Sequence, residues 1–560
     1  MIEDAGRFDG ATLIWPDRPS FHEDGPFELV EQEVLGERMT VFRHRPENMK
    51  ALVEAAALFG ERDAFVFEDE RVSFAGYHRQ VASMARALAE RHGIRKGDRV
   101  ALLGSNSLGW VVAFSAVTSL GAVVVALNGW WVASEIHYGI ELTRPKLVLA
   151  DRRRLSRVPD LTGEGVVVRE LESEVADSIR DASVEPLPDV SVAEDDPAVI
   201  LFTSGTTGRP KGAVNSHRNL MVLACCTAQA AGDAAAVTPP PANEPCSLYL
   251  LPLFHVSGLH GGLIHTLLLG WKSVWITGRF DERRVYELTA RERVTTWSVV
   301  PAQLFRLLEH PAFSGFELSS LVSVGGGGSA WPPSLSESVK SRLPVAGAAM
   351  SFGFGQTESS GMGTANNGAP LIACPESAGR PRPTAEVQIR NEHDDPCSQG
   401  EEGEICIRGP AVFLGYWDDP EATDAVMSPG RWLHTGDIGT LRDGLLHVAG
   451  RRGDLIIRGG ENIYPAEIEA RLLAHPNVLE VAVFGVEDRV LGQEVKAVVR
   501  LEEDVSLDEP ALREWLAKEL AAFKIPAYFE MATQPLPRNA TGKILKHVLK
   551  EGSESIFESE

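Results

Sequence analysis

Positive charge is scarce in this sequence. Its 560 residues hold 54 Lys and Arg against 78 Asp and Glu, a formal net charge of −24. That balance argues against a nucleic-acid-binding surface and against docking on an anionic membrane. An anionic ligand would need positive groups gathered locally. Cysteine is scarce too. Cys225, Cys226, Cys246, Cys374, Cys397 and Cys406 show neither metal-ligand spacing nor a disulfide framework. A reducing, cytoplasmic setting is the default expectation. The first residues, Met-Ile-Glu-Asp-Ala-Gly, lack a basic region followed by an apolar run, so no signal peptide is expected. Charge is missing altogether from residues 101–134, a stretch long enough to suggest a membrane span. Its interior argues otherwise. Gly104 to Ser107 read as a turn after a strand, 108–120 as a buried helix, and 122–127 as a β-branched strand before the turn at Asn128-Gly129. Strand, helix and strand in a doubly wound sheet give such runs without lipid, and no transmembrane segment is expected.

The length is too great for one core, since cores stop growing near ~250–300 residues. Apolar residues make up 44% and charged residues 24%, which is ordinary for globular proteins. Residues 1–48 read as an irregular, Pro- and Glu-rich extension. From 49 to 450, helical patterns (50–59, 77–91) alternate with apolar strand-like runs (64–67, 100–103, 147–150), an α/β signature. Within that span, 228–245 is low-complexity and reads as a surface loop, and 385–450 reads as a β-rich subdomain. After Gly450 the pattern changes to a small α+β unit, 451–550, followed by an acidic tail, 551–560. The expected fold is therefore α/β: a large N-terminal domain of α/β subdomains with a β-rich subdomain, then a small mobile α+β C-terminal domain.

The densest motif is Leu201-Phe-Thr-Ser-Gly-Thr-Thr-Gly-Arg-Pro-Lys-Gly-Ala-Val214. An apolar strand runs into a loop of Thr203, Ser204, Gly205, Thr206, Thr207 and Gly208, ending in Lys211. Glycines let successive N–H groups converge on phosphate oxygens, the hydroxyls add donors, and Lys211 adds a positive charge. The Gly-Lys-Ser/Thr ending of a Walker A loop is absent. Four more motifs follow. Gly325-Gly-Gly-Gly-Ser-Ala-Trp-Pro332 offers open backbone for a flat ring; its bland reading is a flexible turn. Phe352-Gly-Phe-Gly-Gln-Thr-Glu358 places a stacking face, a hydroxyl and a carboxylate together; its bland reading is a strand end with a surface Glu. Leu433-His-Thr-Gly-Asp-Ile-Gly439 offers Asp437 to sugar hydroxyls, or is an Asp-centred turn. Pro537-Arg-Asn-Ala-Thr-Gly-Lys-Ile-Leu-Lys546 carries Lys543, which in the bland reading is merely solvated.

Taken together and in this order, the motifs resemble those of the adenylate-forming superfamily: acyl-CoA synthetases, peptide-synthetase adenylation domains and firefly-type luciferases. The resemblance spans about residues 49–550, judged from motif spacing. It implies two steps. A carboxylate attacks the α-phosphate of ATP, giving acyl-AMP and pyrophosphate; a thiol, usually that of coenzyme A, then takes the acyl group. By the resemblance, the loop 203–211 holds the β- and γ-phosphates. Thr357 binds the α-phosphate and Glu358 holds Mg2+. Phe354 stacks on adenine, Gln356 lies beside it, and Gly327 and Gly328 line the adenine and acyl pockets. Asp437 and Arg451 bind the ribose, and Lys543 bridges carboxylate and α-phosphate. His255, in Leu251-Pro-Leu-Phe-His-Val-Ser-Gly258, gates the acyl pocket or is a packed core histidine. Domain alternation about a hinge is implied as well. Here the hinge position carries Gly453, where relatives commonly have Asp or Lys, and the segment at Gly459 and Gly460 would meet the pantetheine thiol.

Gly355 stands where acetyl-specific members carry a pocket-closing Trp, and Leu259 where some long-chain members place a gating Trp. The expected substrate is a medium-to-long or bulky apolar acid: fatty, aryl or a steroid side-chain acid. The alternatives are a stand-alone acyl-AMP ligase loading an external acyl carrier protein and an aryl-acid CoA ligase. Only ten residues follow Lys550, so no fused carrier is expected. A homodimer is compatible with all of these readings. A non-catalytic binding protein would be expected to lose Lys543, Glu358 or Thr357, and all three are present.

Overall fold

The charge-free stretch forms the centre of the molecule. In the computed structural model, the helix Leu108–Ser119 buries eleven of its twelve residues, Gly109 alone being less enclosed. An apolar helix without a polar stripe must be covered on every side, and two sheets do this together with the helices Met49–Ala56, Phe74–Arg91 and Leu171–Arg180. One sheet has Val167–Glu170, Leu147–Ala150, Arg99–Leu103, Val123–Leu127 and Pro197–Thr203 in parallel, extended antiparallel by Lys211–Ser216 and Gly415–Tyr416. The other runs parallel through Asp63–Phe67, Lys272–Trp275, Cys246–Tyr249, Thr296–Val299, Ser323–Gly327 and Met350–Phe354. Its edges are antiparallel. Between the sheets, Tyr77, Val81, Trp110, Phe114, Leu220 and Met221 belong to one continuous core. No helix among the described residues is long and apolar enough to cross a membrane. The structure describes residues 7–551 apart from 10–11, 15–20, 162–164, 181–185, 204–209, 238–243, 328–330, 332, 348, 368–370, 372, 459–460, 503–504, 506 and 540–541.

A third, mainly antiparallel sheet is built from Glu386–Arg390, Gly403–Arg408, Trp432–Arg442 and Leu445–Arg451. The C-terminal unit is a five-stranded sheet centred on the pair Val478–Asp488 and Gly492–Leu501, with the helices Pro465–Leu473 and Glu509–Ala517 over its core. The fold is mixed α/β, with a large N-terminal and a small C-terminal domain.

Three expectations need correction. The N-terminal extension is not irregular: Leu29–Val34 and Glu37–Phe42 form a hairpin, and Thr12–Ile14 joins the third sheet beside Val387. The low-complexity segment is not simply a loop, because the helix His217–Val237 runs through its Ala-rich first half; alanine is the strongest helix former. Gly325 to Gly327 are not a turn but the end of the strand Ser323–Gly327. A Cβ on Gly326 would stand 1.8 Å from the carbonyl oxygen of Val299 on the next strand, so the strands can pack this closely only around glycine. The described cysteines are all free. Cys374, Glu376 and His447 do bring ligand atoms within 4.8 Å of one another, a grouping that spacing along the chain did not indicate.

Candidate active site

The carboxyl ends of the parallel strands open into one continuous cleft. All the described candidate residues except Leu259 line it. Thr203 ends the strand Pro197–Thr203 and is paired with Lys211 across the connecting loop; Ser204, Gly205, Thr206, Thr207 and Gly208 lie outside the described residues. Lys211 Nζ sits 5.0 Å from the centroid of the Tyr416 ring. The Tyr416 hydroxyl donates to Glu358 Oε1 at 2.7 Å. Burial and the Glu358 carboxylate push the Tyr416 pKa well above its usual range. Thr357 and Glu358 occupy a single 3-10 turn directly after the strand Met350–Phe354, and both are buried. The Phe413 N–H fixes the Glu358 carbonyl at 2.8 Å. The second Glu358 oxygen has no partner among the described residues. One buried carboxylate beside hydroxyl groups suits Mg2+, which keeps several waters and takes phosphate oxygens as its other ligands. Tyr416 was missed from the sequence. Its only signal is an aromatic pair after glycine, Gly415-Tyr-Trp417, too common to single out.

Phe354 ends its strand half-buried, with one side packed on the cluster of Ile407, Phe413 and Leu433. Gly327 is paired with Gly353 on the neighbouring strand; Gly328 lies outside the described residues. Gln356 follows, its backbone N–H donating to Ser359 Oγ at 3.1 Å. Asp437 and Arg451 face each other across an antiparallel pair, and Arg451 Nε donates to Asp437 Oδ1 at 3.0 Å. Burial raises the Asp437 pKa, while Arg451 and Lys543 oppose that rise. Lys543 therefore acts on the same site from the C-terminal domain. Its turn is held by Asn539 Oδ1, which accepts from the Lys543 N–H at 2.9 Å. Val300 of the large domain packs against the adjacent Gly542. Burial, then Arg451, push the Lys543 pKa below the usual lysine value.

His255 also lines the cleft and caps the short helix Val256–Gly258, with Nδ1 2.9 Å from Ser257 Oγ. Burial lowers its pKa to about 4, so the ring is neutral. Leu223, Phe254 and Val256 give this wall its apolar character. Two acyl-pocket expectations change. Leu259 is wholly buried in the core and does not reach the cleft. Gly355 does line the cleft, but a Cβ there would meet the backbone of Gly361 and Met362 at 2.5–2.9 Å. Gly453 lies in the 3-10 turn Arg452–Asp454 between the domains, with nothing within 4 Å of a Cβ. Gly459 and Gly460 are outside the described residues.

Comparison with known proteins places the chain in a family. The sequence model described as AMP-binding enzyme matches residues 52–417, and that of the AMP-binding enzyme C-terminal domain matches 467–543. A feruloyl-CoA synthase of Amycolatopsis is 35% identical over 85% of this chain and 92% of the relative. A 2-succinylbenzoate–CoA ligase of Bacillus velezensis is 35% identical over 89% and 97%. The o-succinylbenzoate CoA synthetase of Bacillus subtilis, solved with its acyl-adenylate intermediate, superposes with a TM-score of 0.76 at 32% identity, covering 90% of this chain and 98% of that one.

Proposed function

Because the chain belongs to the AMP-binding enzyme family, as an acid–thiol ligase of its CoA-ligase branch, we propose that it activates a medium-to-long or bulky, largely apolar carboxylic acid with ATP and passes the acyl group to coenzyme A. The observation that carries this reading is the position of Lys543. It is brought by the C-terminal domain to Asp437 and Arg451, in the cleft that also holds Thr357, Glu358 and His255.

In the first step a carboxylate oxygen attacks the α-phosphorus, the bond to the β-phosphate oxygen breaks, and pyrophosphate leaves. Two anions meet, so positive charge must stand where negative charge gathers. Lys543 supplies it between carboxylate and α-phosphate, and Lys211 supplies it at the outer phosphates. Thr357 donates to the α-phosphate, and Phe354 stacks on the adenine. Asp437 accepts from the ribose hydroxyls, with Arg451 orienting it. Glu358 would hold Mg2+, which when bound neutralises phosphate charge. In the second step the thiol sulfur attacks the acyl carbon and AMP leaves as the carbon–oxygen bond breaks. For this the C-terminal domain turns about Gly453, withdraws Lys543 and presents the segment at Gly459 and Gly460. The neutral His255 and the apolar wall of Leu223, Phe254 and Val256 face the acyl group.

Pyrophosphate release across a panel of fatty, aryl and alicyclic acids, with and without CoA, tests the reading. A burst without CoA and sustained turnover with it are expected. Turnover that is absent with CoA but restored by an acyl carrier protein would replace the acceptor.

A further inference from the structure

We propose that Arg382 makes the acyl pocket a receptor for a second anionic group, so that the preferred substrate is a dicarboxylic acid whose far carboxylate pairs with this guanidinium. The proposal deepens the functional reading above and rests on it. Arg382 directly follows the edge strand Arg380–Pro381, which pairs with Thr364 and Ala365 beside the Phe354 strand. Its N–H donates to the Gly363 carbonyl at 3.0 Å. Its side chain lines the cleft, with an Nη atom 4.0 Å from where a Cβ on Gly353 would stand.

Among the described residues nothing gives it a counter-charge. Arg390, Arg408, Arg451 and Arg458 each pair with a carboxylate. Arg382 makes no such pair among the described residues, and the titratable groups it acts on are the Cys226 thiol and the His265 ring. That thiol is neutral, because burial pushes its pKa far up, and its S–H donates to the Pro383 carbonyl at 3.2 Å. His265 lies close enough for the guanidinium to act on it. Burial and then Arg382 lower its pKa to about 4, so its ring is neutral too. Its Nε2 is 3.1 Å from Thr227 Oγ1, and both residues line the cleft. Arg382 stays charged at any working pH. Arg382 is half-buried and lines the cleft, and a planar guanidinium fits a carboxylate through two parallel hydrogen bonds.

The Cys226–Pro383 hydrogen bond sets the residue after Arg382 against the helix His217–Val237, and the next residue of that helix, Thr227, meets His265. Arg382 therefore faces the part of the cleft lined by Thr227 and His265. A substrate reaching it carries its reacting carboxylate at one end, an apolar spacer, and an anion at the other.

The test measures kcat/KM for pyrophosphate release by the full chain with matched acids: hexanoate and hexanedioate, octanoate and octanedioate, decanoate and decanedioate. Wild type should favour the dicarboxylate at one or more lengths by on the order of tenfold, the discrimination expected of one charged pair. Arg382→Leu should reverse that preference, and Arg382→Lys should keep part of it. Equal or better use of the monocarboxylates by wild type at every length overturns the proposal. So does an equal loss for both members of each pair in Arg382→Leu, which would mark a structural role. If Arg382→Leu does not fold, Arg382→Lys carries the comparison. If no acid releases pyrophosphate, the functional reading itself falls. Melting temperatures then decide Arg382: stabilisation by a dicarboxylate in wild type but not in the variant sustains it, and no difference overturns it.

Discussion

The hydroxyl of Tyr416 donates to Glu358 Oε1 at 2.7 Å, and the ammonium of Lys211 lies over the same ring. One tyrosine thus links Lys211, at the start of the strand Lys211–Ser216, to the buried carboxylate beside the neighbouring sheet. It fixes the carboxylate's orientation and leaves its second oxygen without a partner among the described residues.

Tyr416→Phe keeps the ring under Lys211 and removes only the hydrogen bond. A hydrogen bond to a charged group contributes about 1.5–3 kcal/mol. Acyl-AMP formation should therefore fall by roughly 10- to 100-fold, with a raised Mg2+ requirement. Thioester formation from supplied acyl-AMP should change little. An unaltered Mg2+ dependence would show that Tyr416 does not orient Glu358.

Lys543→Ala should lower acyl-AMP formation by on the order of 100- to 1000-fold, the loss expected for one preorganised donor at developing charge. Supplied acyl-AMP should still be converted to thioester. The pH profile gives a second check. Lys543 works in its charged form, which exists below its pKa, and burial together with Arg451 lowers that pKa. Acyl-AMP formation should then fade with rising pH earlier than an ordinary lysine allows. Lys543→Arg should move that alkaline limb upward in whatever activity remains.

Much of this was legible in the sequence because parallel strands buried on both faces read as short apolar runs. The strands at Arg99–Leu103, Val123–Leu127 and Leu147–Ala150 stand within one residue of where their β-branched and Leu content placed them. The hairpin in the extension was not legible. Its turn is Leu35-Gly36, both with positive φ, and leucine is not a turn residue that announces a two-residue hairpin. Within the cleft, the described residues of the dense motifs come together, since each motif is one strand end with its loop. Tyr416 and Arg382 were not legible. Each reaches the cleft from an edge strand whose place is set by tertiary pairing, and nothing local marks it.

Gly453 supplies a test of domain movement. In the orientation seen, a Cβ would meet nothing, and its turn has ordinary 3-10 geometry. Glycine is therefore not required here for space. Gly453→Ala should leave acyl-AMP formation within about twofold, since surface substitutions without contacts usually stay within ~0.5 kcal/mol. If the second orientation needs a backbone angle that only glycine adopts freely, thioester formation should fall more. Equal, small effects on both half-reactions would place the hinge elsewhere.

Gly355 distinguishes a pocket floor from a tight backbone turn. The sequence comparison suggested that Trp at this position would shorten the acyl pocket and move activity toward acetate or propionate. The structure points any Cβ at Gly361 and Met362 backbone atoms 2.5–2.9 Å away. A side chain can enter only if the segment from Gln356 to Gly361 shifts. That segment carries Thr357 and Glu358, so the cost falls on nucleotide binding and not on acyl length. Gly355→Ala, the smallest change, should lower stability by about 1–3 kcal/mol, as overpacking does. It should reduce pyrophosphate release with every acid in the same proportion. Gly355→Trp should lose activity with short and long acids alike. Gain of acetate turnover in a folded Gly355→Trp protein would show that the backbone yields and that the residue does bound the pocket.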